Sequence, residues 1–254
     1  MGVKWKKWTG DYGLFLLVSI LLISFWEWIV ARGLVPAFIL PSPSAIWKAL
    51  VEYHELLFVE HLPVTVQEVA IGFGISLVSG LLLGTVMHFS RLVEKVLYPF
   101  LVISQTIPLI ALSPIFIMWF GYTIWSKIAV TFLIAFFPIV VSTYDGLKAG
   151  GKEYRELLQT MGADRWMIFR TVQIPMALPS ILSGVKMSVV YAVVGATIGE
   201  WLGASEGLGY FSRRMSGNLQ ADAVFAAIVL LSLLGMVLFM LVSLLEKWFV
   251  KRVN

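Results

Sequence analysis

Six long apolar runs constrain this chain more than anything else in it. They lie at about 13–31, 67–89, 95–120, 126–145, 176–200 and 223–245. About 20 apolar residues in a helix cross the ~30 Å hydrocarbon layer of a bilayer, and each run is of that order. Inside lipid every backbone polar group must be paired within the protein, so a continuous apolar run of this length crosses as a helix. Composition agrees: the chain is 59% hydrophobic and 13% charged, whereas a soluble domain is about a quarter charged. Too little polar surface remains to cover a water-soluble core. The expected fold class is an all-α membrane protein with six transmembrane helices, in a single transmembrane domain over 1–254.

The formal net charge of +4 reflects membrane topology rather than nucleic acid, because the basic residues sit between the apolar runs. With six spans, one side carries Lys4, Lys6, Lys7, Arg91, Lys95, Lys148, Lys152, Arg155, Arg165, Arg170, Lys247, Lys251 and Arg252. The other side carries Arg32, Lys48, Lys127, Arg213 and Arg214. Basic residues accumulate on cytoplasmic loops, so this bias predicts that both termini are cytoplasmic. A re-entrant 95–120 would swap the later loops and erase the bias. The lysines before the first run imitate a signal peptide. That run is long enough to span, however, and no small-x-small site closes it, so a retained first helix is expected. The chain has no cysteine, which excludes disulfides, Cys-ligated zinc and thiol catalysis.

Residues 32–66 are expected to form an external connector. Within it, Ser42 is placed to cap a short helix with Pro43 at its first position, continuing through Ala45 to Leu50. The third run contains Pro99, Pro108 and Pro114. Broken backbone is costly against lipid, so this segment should pack inside protein or line a cavity. Gln105 and Thr106 precede Pro108. They offer hydrogen bonds either to a solute or to the carbonyls that a kink frees. Small residues recur every four positions at Gly72, Ser76, Gly80 and Gly84, at Gly184, Ser188, Ala192 and Ala196, and at Gly195, Gly199, Gly203 and Gly207. Such rows let helix backbones approach closely. Two of them on the fifth run suggest a central helix with contacts on two sides.

The least hydrophobic internal stretch is Glu153 to Pro179. Tyr154, Leu157, Leu158 and Met161 follow helical spacing and make one apolar stripe. Glu153, Glu156 and Thr160 lie away from it. Gly162 suits the left-handed residue that ends a helix. Asp164 suits the N-cap of a second helix starting at Arg165. Pro175 is expected to break the chain just before the fifth run. The result is a rigid amphipathic hairpin over 153–172, able to transmit force from a partner.

Glu156, Gly162, Val172, Ile174 and Pro175 stand at offsets that resemble the Glu-Ala-Ala…Gly…Ile-x-Leu-Pro loop of binding-protein-dependent ABC importer permeases. Leu157 and Leu158 replace that loop's small residues, and Ile174 stands where leucine is usual. The likeness extends to Ile39–Ser44, Gln105–Pro108, Trp119–Gly121, Gly199–Gly203 and Gly207–Tyr210. Together they resemble the subgroup that imports nitrate, sulfonates, taurine, riboflavin or thiamine precursors. The resemblance implies a five-helix core in a bacterial or archaeal inner membrane and a second permease copy, expected as a homodimer. It also implies two ATPase subunits and a solute-binding protein. ATP and magnesium then belong to the ATPase, and this chain carries no cofactor and no catalytic residue. ATPase coupling is implied at Glu156, Leu157, Leu158, Gly162, Ala163, Asp164 and Pro175. Gln105, Thr106, Pro108 and Glu200 are candidates for the substrate pathway. A thiamine-precursor pyrimidine leads among the substrates, with alkyl sulfonate, taurine and nitrate open. An ATP-independent carrier or channel, or a membrane enzyme, lacks either the need for such a hairpin or a visible catalytic cluster.

Other signals fail. Gly146–Lys152 approaches a phosphate-binding Walker loop, but Glu153 stands where Ser or Thr must hold magnesium. His54, His61 and His88 show no metal-ligand spacing, and surface or interfacial roles are expected. Glu27, between Trp26 and Trp28, is expected to reach the interface rather than a substrate. Glu200, after the small-residue rows, is either an outer gate or a structural partner.

Overall fold

The computed structural model describes residues 2–149 and 151–250. Side chains at 2–12, 152, 153, 155, 249 and 250 fall outside that description. So do the readings placed on Lys4, Lys6, Lys7, Lys152, Glu153, Arg155, Lys251 and Arg252. The described residues are helical with short connections: α1 (Gly2–Ala31), α2 (Pro43–Glu52), α3 (Leu62–Phe89), α4 (Arg91–Ser104), α5 (Leu109–Phe120), α6 (Ile124–Ala149), α7 (Lys152–Thr160), α8 (Arg165–Ile168), α9 (Ile174–Gly203), α10 (Leu208–Gly217) and α11 (Ala221–Val250).

Contacts between glycines and the facing helix set the directions. A side chain at Gly72, Gly80 or Gly84 of α3 would strike Thr131, Ile139 or Thr143 of α6, so numbers rise together and the two helices are parallel. A side chain at Gly184, Gly195 or Gly199 of α9 would strike Ser142, Thr131 or Lys127, so α9 runs antiparallel to α6. Parallel helices need a connection that recrosses the bundle. That connection is α4 and α5, which meet at a bend of 102°. Glu94 near the start of α4 bonds Lys148 at the end of α6. Ile117 near the end of α5 lies against Gly203 at the end of α9. The bent pair therefore traverses the bundle as a sixth span rather than returning to the side it left.

The single span expected over 95–120, broken or kinked at its prolines, is corrected to two separate helices that meet at this sharp bend. Pro108 has no N–H and restricts Ile107, so the helix stops at Ser104 and Pro108 takes an extended conformation. Pro99 and Pro114 lie inside α4 and α5 without ending them. A second correction concerns Pro175. The helical path is unbroken from Arg165 to Gly203. A π segment at Phe169–Gln173 precedes the proline, and Ile174 N–H bonds Phe169 O, five residues back. Widening the turn makes room for a ring that otherwise collides with the carbonyl four residues before it. The same device precedes Pro63, where Leu56–His61 is a π segment leading into α3. The external connector is consequently shorter than 32–66, because its last residues already belong to that helix.

The middle of the bundle is α6 and α9. A row of every fourth residue drifts about 40° per step around a 3.6-residue helix, so the two rows on α9 divide differently than they read. Gly184, Ser188, Gly195 and Gly199 meet α6, and the Ser188 hydroxyl donates to Ala135 O. Ala192 and Ala196 pack with Val69 of α3 and Leu231 of α11. The central helix with contacts on two sides is present. From Gly13 to Ala31, α1 has no fully buried residue; most of it is left for lipid, while Trp26 near its end packs against the cluster of α2, α10 and α11.

One end of the bundle bears the hairpin α7–α8, and α1 and α11 both have their chain-terminal ends there. At the far end, α2 folds onto α10 and the start of α11 around Ile46, Ala49, Leu57, Leu208 and Phe211. Ser42 accepts from Ala45 N–H at 3.2 Å and Pro43 opens the helix, as the sequence indicates. Glu27 of α1 accepts from Ser44 N–H at 3.0 Å and its hydroxyl at 2.7 Å. It thus holds α1 to the N-terminus of α2.

Candidate functional site: a hairpin, a cavity and a buried carboxylate

The hairpin is closed by backbone geometry. Ala163 N–H bonds Leu158 O at 3.0 Å and Gly162 N–H bonds Gln159 O at 3.1 Å, the paired reversal that ends helices. Gly162 has φ +85, a left-handed conformation that costs a side-chain-bearing residue about 1–2 kcal/mol. Asp164 then caps α8, accepting from Met167 N–H at 2.6 Å. Tyr154, Leu157, Met161, Trp166 and Met167 are all more than half exposed. Leu158 and Ala163 are half-buried, and Glu156 is exposed. Pro175 sits one π segment beyond, on the helix that crosses the bundle. A continuous helical path thus joins α8 of the hairpin to α9.

The second feature is a cavity of about 880 Å³ beside the α4–α5 break. Its polar lining is Ser104, Gln105, Ser142, Asp145, Ser180 and Tyr191, with Pro108 among its apolar residues. The structure separates Gln105 from Thr106. The Thr106 hydroxyl donates to Ile103 O at 2.7 Å, a carbonyl that also accepts the Thr106 N–H at 3.0 Å, and Thr106 is not in the lining. Gln105 faces the cavity. Ser142 and Asp145 lie with Pro138 at i, i+4, i+7 on one face of α6. Asp145 and Tyr191 were not legible as lining residues, although an ionisable residue closing an apolar run is itself a signal.

Glu200 lies elsewhere, 1% exposed at the far end of α9. Its carboxylate accepts from the Thr65 hydroxyl at 2.7 Å and from Gly209 N–H. Leu208 N–H bonds Thr65 Oγ1 at 2.9 Å and Gly207 N–H bonds His61 Nδ1 at 3.2 Å. These groups satisfy the otherwise unpaired donors that begin α10, where negative charge is favoured. Gly207 has φ +110, and a side chain there would strike the Glu200 carboxylate. His61, expected at the surface, is 4% exposed because it serves this turn. Among the described residues no group of three or more His, Cys, Asp and Glu is arranged to hold a metal.

Residues 76–254 match the family described as the binding-protein-dependent transport system inner membrane component. This chain belongs to that family. Formylaminopyrimidine transport permease protein ThiX of Halalkalibacterium halodurans is 50% identical over 91% of this chain and 92% of its own length. Riboflavin transport system permease protein RibX of Chloroflexus aurantiacus is 35% identical over 91% and 87%. The putative aliphatic sulfonates permease SsuC of Bacillus subtilis is 33% identical over 94% and 87%. Among solved structures, the MetNI methionine ABC transporter matches 83% of this chain and 95% of the aligned chain at TM-score 0.57 and 21% identity. An amino acid ABC transporter matches 81% and 97% at TM-score 0.62 and 18% identity. These last two show the shared fold. The chain is a membrane-embedded permease of the ABC importer class.

Proposed function

We propose that this permease imports a small aminopyrimidine of the formylaminopyrimidine type, driven by ATP hydrolysis on two separate ATPase subunits. A solute-binding protein supplies the substrate at the far end, and a second copy of this chain completes the translocation path. The exposed apolar stripe of α7–α8 carries the coupling assignment. It is locked at Gly162 and Asp164 and leaves large apolar side chains exposed at one end of a membrane bundle. A soluble ATPase covers them. Glu156, Leu157, Leu158, Gly162, Ala163 and Asp164 form the contact region, and Pro175 lies on the lever that passes motion to α9. The hairpin end is cytoplasmic, in line with the basic residues on that side. The substrate choice rests on the 50% identity to ThiX over nearly the whole chain. Gln105 and Pro108 lie on the pathway.

The test is reconstitution of the permease with its ATPase and binding protein in proteoliposomes. Uptake of formylaminopyrimidine that requires all three components and ATP is the expected result. Uptake without the ATPase means a carrier instead. Uptake of taurine, an alkyl sulfonate or nitrate in place of the pyrimidine overturns the substrate.

A further inference from the structure

The cavity at the α4–α5 break contains an acidic side chain and no basic one. Among the residues lining it, Asp145 is the charged group, and no Lys or Arg is present. Lys95 and Lys148 share with Asp145 a smaller cleft next to it. Lys148 is engaged there, donating to Glu94 at 3.0 Å and to the Tyr144 hydroxyl at 2.6 Å. Asp145 has no hydrogen bond or ion pair with any described residue. The Gln105 carboxamide is likewise unpaired among the described residues.

The polar groups stand at two levels. Gly146 packs against Ser180, so neighbouring Asp145 lies at that level, towards the hairpin end. Tyr191 is eleven residues further along α9, about 16 Å at 1.5 Å per residue. Gln105 is one turn beyond Leu101, which packs with Phe137 and Val140 in the middle of α6. An amide side chain pairs through two hydrogen bonds with the amino and ring-nitrogen edge of a base, as glutamine does with adenine. A 4-aminopyrimidine presents the same edge. A tyrosine ring offers a flat face for a heteroaromatic. The Asp145 side chain is exposed where it lines the cavity, and a carboxylate in a cleft repels anions and raises the local concentration of cations.

We infer that this cavity is a transient site for an uncharged or cationic amino-heteroaromatic solute. Gln105 reads its amino edge, Tyr191 stacks on its ring, and Asp145 guards the exit against anions. The proposal rests on the importer reading above and narrows it, because the anionic alkyl sulfonates and nitrate are rejected by the permease itself, and taurine, a zwitterion without a ring, has no edge for Gln105 and no face for Tyr191.

Lack of native cysteine makes the test direct. Ser104→Cys places one thiol in the lining of the permease–ATPase complex. A cationic methanethiosulfonate reagent is expected to react there about tenfold faster than an anionic one of similar size. Asp145→Asn should cancel that preference. Formylaminopyrimidine should slow the labelling and taurine should not, and Gln105→Leu should remove the protection. Equal rates for the two reagents, or protection by taurine, overturn the inference. Formylaminopyrimidine uptake by the full system together with equal labelling rates leaves the importer reading standing and this one lost. A cation preference without pyrimidine uptake does the reverse: it keeps the charge rule and removes the pyrimidine.

Discussion

Lys186 of α9 and Glu246 of α11 form an ion pair at 2.7 Å within the membrane-spanning part of the bundle, each side chain less than a quarter exposed. The apolar run at 176–200 contains this lysine, and no spacing along the chain points to Glu246 as its partner. Removing one member of such a pair leaves a charge in an apolar setting and costs on the order of 3–5 kcal/mol, whereas replacing both with apolar groups is often neutral. Lys186→Met and Glu246→Leu alone should each lower the melting temperature of the purified permease, and the double variant should recover most of the loss. Single variants as stable as the parent would show that the pair carries no weight.

Helix contact at Gly195 is at its limit. A side chain there would lie 2.7 Å from Thr131 Cα, a backbone atom that cannot turn aside. On α11, Gly235 has nothing within 4 Å. Alanine is favoured over glycine in a helix by about 0.5–1 kcal/mol, so Gly235→Ala should be neutral or stabilising. Gly195→Ala should reduce folded yield. Detergent size-exclusion profiles of the two variants, compared side by side, decide whether α6 and α9 touch as described.

Glu200 supports a turn. Glu200→Ala leaves the Gly209 N–H without its acceptor, at about 1–3 kcal/mol for a buried group, and leaves the Thr65 hydroxyl only the longer bond to His61 O at 3.3 Å. The melting temperature should fall. Introduced alongside Ser104→Cys, the same change should leave the reagent preference of the cavity thiol as it was. A variant of undiminished stability that fails to transport would instead place Glu200 on the solute path.

Gly162→Val should insert and fold, since nothing lies within 4 Å of a side chain there. The cost is the left-handed backbone, about 1–2 kcal/mol, comparable with a typical coupling free energy between sites. Transport and binding-protein-stimulated ATPase activity should both drop several-fold, as they should for Glu156→Lys on the exposed side of α7. Parental values of both activities in both variants sink the coupling assignment.

The sequence by itself determined the parts of this protein that local rules govern. Six runs of sufficient length gave the spans, because a bilayer forbids unpaired backbone. Ser42, Gly162 and Asp164 gave their helix ends, because a cap needs one acceptor or one left-handed residue at a fixed place. The turn of the α7–α8 hairpin was legible for the same reason, its residues being adjacent in the chain. Only the tertiary structure decided the rest. It paired Lys186 with Glu246 and Glu200 with Thr65, separations that no periodicity encodes. It also gave Pro175 and Pro63 their wide turns, because a proline's effect depends on the hydrogen bonds before it. Finally, it separated Gln105 from Thr106 and set Asp145 and Tyr191 beside the break. A cavity is a relation between helices, and its lining becomes visible only when α4, α5, α6 and α9 are packed together.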